Sequence, residues 1–194
     1  PAGAKDKDGN QLSFSQVYSA VSNAISAWNS TACSYSVFTL SSSPYSGSRI
    51  EGDGITTITF ETYSSNGTCK PPSQASQIDE CDIILNSGLR WNVDNSYPST
   101  YPTYTAPSYP AYNYYRTIGP VDLQDVATHE LGHAVGLGHT YGYGFTMEPT
   151  DYTINNWWTK TSRRNLGWGD VAGKIYMDPD FSSSTTQPTP KMLL

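Results

Sequence analysis

All three histidines of this 194-residue chain lie within eleven consecutive positions, and that clustering limits the fold more than any other feature. The stretch reads His129-Glu130-Leu131-Gly132-His133-Ala134-Val135-Gly136-Leu137-Gly138-His139. Positions four apart share one face of a helix, so His129 and His133 present their imidazoles to one point. Asp122 offers an N-cap for a helix from about Leu123 to Val135, and Gly136 stops it. His139 stands six residues past His133, off that face. Glycine at 136 permits the sharp reversal that returns it. Three neutral imidazoles on one ion leave a fourth tetrahedral position open, which marks a catalytic zinc site rather than a structural one. Glu130 would hang beside the ion without binding it. From there a carboxylate can take a proton from an activated water and pass it to a departing amine.

The rest of the composition fits one exported domain. Hydrophobic residues make up 37% of the chain, enough for a core at this length, but only 14% are charged. Ser, Thr, Asn, Gly and 15 tyrosines replace the missing charge, a surface more typical of exported than cytosolic proteins. The formal net charge of −6 gives a nucleic-acid partner no electrostatic support. No apolar run approaches the roughly 18–20 residues that span a bilayer, and no secretory leader is visible, as expected of a trimmed precursor. The cysteines, Cys33, Cys69 and Cys81, lack the tight C-x-x-C spacing of a zinc site. An exported protein would pair two of them, and Cys69 with Cys81 is the nearer pair, across a loop holding Pro71 and Pro72; three buried thiols are the alternative. Asn29-Ser30-Thr31 and Asn66-Gly67-Thr68 have the glycosylation triplet, which also arises by chance.

Along the chain, residues 1–13 carry no apolar periodicity and read as an irregular lead-in. Val17, Val21, Ala24, Ile25 and Trp28 then fall at helical spacing, with Ser13 and Gln16 as a capping box, so a helix ending near Asn29 is expected. Ser34–Leu40, Ile55–Thr62 and Gln77–Asn86 read as strands. Seven tyrosines and four prolines lie between Tyr97 and Tyr115, a density that excludes helix and central strand. The segment from Asn95 to Gly119 therefore reads as a long loop, either a substrate-contacting flap or a cover for the core. A last helix is expected over about Gly169–Tyr176. Ser182–Pro190 is a Ser/Thr/Pro tract, and residues 179–194 read as a tail or linker beyond a domain of residues 14–178.

The histidine segment also resembles the extended zinc signature of the metzincins, H-E-x-x-H-x-x-G-x-x-H, with Met147 eight residues past His139 in the place of the methionine turn beneath the metal. Within that clan the chain is most similar to matrixins. Thr140 follows the third histidine, and Met147-Glu148-Pro149 lacks the tyrosine that astacins and serralysins use as an extra ligand. Glu80–Asn86 followed by Trp91 looks like the strand before the active-site helix of small prokaryotic matrixins. Asp122-Leu123-Gln124 is similar to their helix entry, and Leu166, Asp170, Val171 and Gly173 to the start of their C-terminal helix.

This resemblance implies an α+β zincin (metzincin) fold: a twisted mixed β-sheet with an N-terminal helix, an active-site helix and a C-terminal helix. It implies a secreted, monomeric zinc endopeptidase acting on proteins or peptides, with one catalytic zinc on His129, His133 and His139. Glu130 would be the base and Met147 the structural methionine. Pro149 and Tyr152 would line the pocket for the residue after the cut, Tyr152 being shifted by one position from the usual tyrosine. Calcium is allowed for but not placed. Four departures stand out. Residues 1–13 do not look like the strand that precedes the first helix in matrixins, so that strand is lost or replaced by another segment. No inhibitory propeptide cysteine is present, no histidine is left for a second zinc, and the pocket tyrosine is displaced. A catalytically idle binding or adhesion module using the Tyr/Pro loop is the alternative from another class. An exopeptidase is the runner-up among enzymes. An idle domain, however, has no need of Glu130 and all three ligands.

Overall fold

A computed structural model describes residues 3–31, 38–63, 65, 67–70, 80–94, 104–105, 117–118, 120–140, 145–148, 164–177 and 191–193. The first helix, α1 (Phe14–Asn29), forms as its sequence dictates. Ser13 Oγ accepts the Gln16 N–H while the Gln16 side chain takes the Ser13 N–H, satisfying two donors at the open end. Val17, Ala20, Val21, Ala24, Ile25 and Trp28 make one buried face. The Trp28 indole, fully buried, contributes roughly 4–6 kcal/mol as an upper bound. Its N–H donates to the carbonyl of Thr128 at 2.8 Å, which fixes α1 against the second helix.

That second helix, α2 (Leu123–Ala134), starts where β9 (Val121–Asp122) ends. Asp122 caps it by accepting the Asp125 N–H at 3.0 Å. Arg164 grips the other oxygen of Asp122 through Nε at 2.8 Å and donates to the Asp94 carbonyl at 2.9 Å, so the start of α2 is held from two sides. The third helix, α3 (Trp168–Met177), sends the buried Lys174 ammonium to the Trp28 carbonyl at 2.8 Å. A cation there complements the negative end of α1. Among the described residues these are the three helices, as expected.

Of the three sheets among the described residues, two contain three or more strands. The larger contains β2 (Thr39–Leu40), β3 (Thr56–Glu61), β4 (Gly67–Lys70), β5 (Asp82–Asn86) and β10 (Lys191–Leu193) in the order β2-β10-β3-β5-β4. All pair in parallel except β4, which runs antiparallel to β5 with Cys69 opposite Ile83. Every residue of β5 is buried, so its Ile-Ile-Leu run lacks the alternation of a half-exposed strand. The smaller sheet is β1 (Lys5–Asp6), β6 (Arg90–Asn92) and β9, again parallel. The mixed α+β architecture expected from the sequence is therefore present.

The structure differs from the sequence reading in three places. Residues 5–11 are not irregular: Asp6 accepts the N–H groups of Asp8 and Asn10, Gly9 takes φ 90°, and β1 pairs with β6. A side-chain-built turn of this kind leaves no apolar periodicity to read. Within the Tyr/Pro segment, β7 (Tyr104–Thr105) and β8 (Thr117–Ile118) pair antiparallel, so it carries a short ladder where only loop was expected. The rest of that segment lies outside the described residues. Third, residues 191–193 of the presumed tail form β10, lying between β2 and β3 with Met192 fully buried. The pairing of Cys69 with Cys81 is observed, and closing a loop of 12 residues contributes about 3 kcal/mol. Cys33 lies outside the described residues. The Asn29 amide makes both of its bonds to the Phe38 backbone, at 2.9 Å each, so its role is to seat the entry to β2.

Because Met192 fills a core position between two strands, Met192→Ala should lower unfolding stability by about 2–4 kcal/mol. Denaturant unfolding measures this; a change below about 0.5 kcal/mol would show that β10 does not hold the sheet together.

Candidate metal centre

Helix α2 carries His129 and His133 one turn apart, and its C-cap is Val135. Gly136 follows with φ 91°, a left-handed conformation that a side chain would strain, and the chain reverses there as its sequence suggested. The reversal brings His139 back. Its Nε2 lies 3.2 Å from His129 Nε2 and 3.2 Å from His133 Nε2, and one ligand atom from each of the three falls within 4.8 Å of the others.

Hydrogen bonds decide which way the first two rings face. His129 Nδ1 lies 2.7 Å from the Thr146 carbonyl, and His133 Nδ1 2.7 Å from the Leu137 carbonyl. A carbonyl only accepts, so each Nδ1 carries the proton and each Nε2 keeps its lone pair. Burial, with a smaller push from His139, holds His133 below the ordinary histidine pKa, which keeps it neutral. Lone pairs facing one another at 3.2 Å repel unless a cation lies among them. The separation matches the edge of a tetrahedron with zinc–nitrogen bonds of about 2.0–2.1 Å, which is about 3.3 Å. The donor set fits zinc.

Glu130 is buried, and desolvation pushes its carboxyl up to about 8 in the metal-free site. The Cys69 backbone on β4 opposes the shift, and a Cβ built at Gly67 of the same strand would stand 3.0 Å from Glu130 Oε1. Beneath α2 sits Met147, which is 1% exposed. Its sulfur and the Trp28 ring occupy the space where a Cβ at position 132 would stand. Asp170, at the start of α3, fixes this turn. Its carboxylate accepts the N–H groups of Thr146 at 2.8 Å, Met147 at 3.2 Å and Gly167 at 2.8 Å. The Thr140 N–H donates to the Met147 carbonyl at 2.9 Å, tying the chain after His139 to the same turn.

The Matrixin family model matches residues 5–175. The chain belongs to the matrixin family. It is also 36% identical over 72 residues to Metalloendoproteinase 2-MMP of Arabidopsis thaliana, a stretch covering 36% of this chain and 18% of that protein. The chain thus spans less than a fifth of the length of the relative it matches. His129, His133 and His139 are the metal-binding triad of this matrixin. Among the described residues they form the one cluster of His, Cys, Asp or Glu with ligand atoms close enough to share an ion.

Pro149 and Tyr152, expected at the substrate pocket, lie outside the described residues. Sequence reading missed the partners that aim the site: the carbonyls of Thr146 and Leu137 and the Asp170 carboxylate. Backbone groups leave no trace in residue identity. Gly132 did leave one, since a glycine inside a helix costs about 1 kcal/mol against alanine and signals a close approach.

Glu130 makes the metal-free matrixin sensitive to pH. Its carboxyl titrates near 8 when folded and near the usual 4.5 when unfolded, so between these values the folded state binds more protons. Stability from this group therefore falls as pH rises through that window. Glu130→Gln removes the dependence, so the variant should gain on the native protein in melting temperature from pH 5 to pH 8, both stripped of metal. A constant difference across that range would contradict the burial argument.

Proposed function

We propose that this matrixin is a secreted zinc endopeptidase in which Glu130 moves the protons. The observation that carries the reading is Glu130 itself: a buried carboxylate adjoining the triad, packed against Gly67 of β4. Zinc, when bound to His129, His133 and His139, supplies a Lewis acid that polarises the scissile carbonyl and acidifies a water. Glu130 accepts that water's proton as its oxygen attacks the carbonyl carbon, then delivers it to the amine as the peptide bond breaks. Burial raises the basicity of the Glu130 carboxylate, which favours the first transfer. A dication held by the triad would lower it, which favours delivery to the amine. Met147 supports the triad from below and is not a ligand.

The substrate reading rests on β4. It is the last strand of the larger sheet, and it lies against α2 at Glu130. An extended peptide can pair with the outer edge of such a strand through backbone hydrogen bonds, which need neither chain end. That favours internal cleavage over trimming from a terminus. Pro149 and Tyr152 are proposed as walls of the pocket for the residue after the cut, and the Tyr/Pro segment as part of the cleft rim. The Cys69–Cys81 bridge supports an oxidising destination outside the cell.

The test is cleavage of a denatured protein with and without a chelator, followed by sequencing of the cut sites. Cuts at internal bonds that stop with chelator and resume with zinc are expected. Glu130→Gln should keep one zinc per chain while turnover falls about 10²–10⁴-fold. Near-normal turnover in that variant, or cleavage indifferent to the chelator, would refute the proposal.

A further inference from the structure

The geometry points to helix α3 as a docking face for a second copy of this chain, with the two copies related by a two-fold axis at Ala172. Such a pair replaces the monomer that the matrixin resemblance implies. It rests on α3 alone and needs no catalytic activity.

The polarity of α3 is inverted. Its sequence contains two charged residues, Asp170 and Lys174, and both are buried, at 2% and 1% exposure. The outward positions hold Trp168 at 79%, Ala172, Tyr176 at 84% and Met177 at 51%. An ordinary surface helix turns its apolar side in and its charges out. Trp168, Ala172 and Tyr176 follow one another at steps of four, so they form one ridge, with about 12 Å of helical rise between the two aromatic positions. No charged residue of α3 interrupts it. Trp168 is also ordered in advance, because its ring meets that of Phe145 at 74°, with centroids 5.5 Å apart. The Phe145 ring fills the space beside Gly169, where a Cβ would stand 2.7 Å from it. An aromatic anchor already held in place loses little freedom when it binds.

Area and shape select the occupant. Trp168, Tyr176 and Met177 leave roughly 500 Å² open, taking about 150–250 Å² for each aromatic side chain. Ordinary monomers show a largest apolar patch of about 300–600 Å², and one of that size is often functional. Two copies would bury about 1,000 Å² from these anchors alone, which reaches the size of a specific interface before any rim is added. Aromatic residues and methionine without charge are also the composition of an interface core. The ridge is large, small, large, and so it complements itself. With the two helices antiparallel and their dipoles opposed, Ala172 meets Ala172 of the second copy, and each Trp168 meets the other copy's Tyr176. The small side chain at the crossing lets the backbones approach while the rings interlock on either side. A nucleic acid or an acidic lipid surface finds no charge on this ridge to pair with.

Sedimentation velocity on the zinc-loaded protein, from about 1 to 100 μM, tests the pairing. A monomer–dimer equilibrium with Kd on the order of 10 μM is expected. Ala172→Glu sets like charges against each other at the axis, and glutamate suits an exposed helix position. That variant should weaken the dimer at least tenfold while zinc content and circular dichroism stay native. Trp168→Ser/Tyr176→Ser should act in the same direction, and Ala172→Glu carries the test if the double variant fails to fold. In a Cys33→Ser background, Ala172→Cys should form an intermolecular disulfide under mild oxidant, because a residue on the axis meets its own copy. Ile50→Cys, at a position also exposed (57%), should not. Protein that stays monomeric throughout, or dimers that Ala172→Glu leaves intact, would overturn the pairing. So would dimers in which Ala172→Cys forms no bridge. A monomer that sediments with phosphatidylcholine vesicles, and ceases to do so as Ala172→Glu, would give the ridge to a lipid surface instead.

Discussion

Position 132 has no room for a methyl group, and the metal centre is assembled around that restriction. The Met147 sulfur and the Trp28 ring meet α2 at the bare backbone between its two metal-binding histidines. The glycine weakens the helix locally by about 1 kcal/mol, which the close packing offsets. Through this contact α1, α2 and the turn before Glu148 share one interface. Trp28 adds two polar links: its indole donates to Thr128 of α2, and its carbonyl receives Lys174 of α3. One residue thus joins all three helices within a turn of the metal site, and the triad rests on a rigid floor.

Asp170 converts that floor into aim. Its carboxylate holds the amides of Thr146 and Met147. The carbonyl of the same Thr146 then holds His129 Nδ1. Partners of this kind set the tautomer and orientation of a ligand histidine, and losing them commonly weakens metal binding by 10–100-fold. His133 is aimed from another direction, by the Leu137 carbonyl just past the Gly136 reversal. Two rings are thus set by the two segments that flank His139, so the position of the third ligand and the orientation of the first two are determined together.

What the sequence made legible follows from where the information lies. The triad, Glu130 and the reversal at Gly136 depend on side-chain chemistry at fixed spacing, which residue identity records directly. The helix boundaries at Ser13 and Asp122 were legible for the same reason, because caps are side-chain events. The short strands were not. Gly67-Thr68-Cys69-Lys70 offers no apolar alternation, and β10 is three residues after a Ser/Thr/Pro tract. Strands this short gain their place from neighbours rather than from intrinsic preference. The two-residue β1 ahead of α1 left no trace in residues 1–13, and β10, between β2 and β3, could come only from the assembled sheet.

The sheet and the helices meet the chemistry at different points, and this division explains why both are needed. Helix α2 carries two of the metal ligands, His129 and His133, and a backbone carbonyl aims each ring. The sheet meets the carboxylate at Gly67 of its outermost strand. A metal ligand must stay fixed while the reaction proceeds, whereas a proton carrier must accept and release within one turnover. β4, partly buried along its length, meets Glu130 and Val126 of α2 at the bare backbone of Gly67, so the outer strand and the metal-bearing helix approach with no side chain between them at that point.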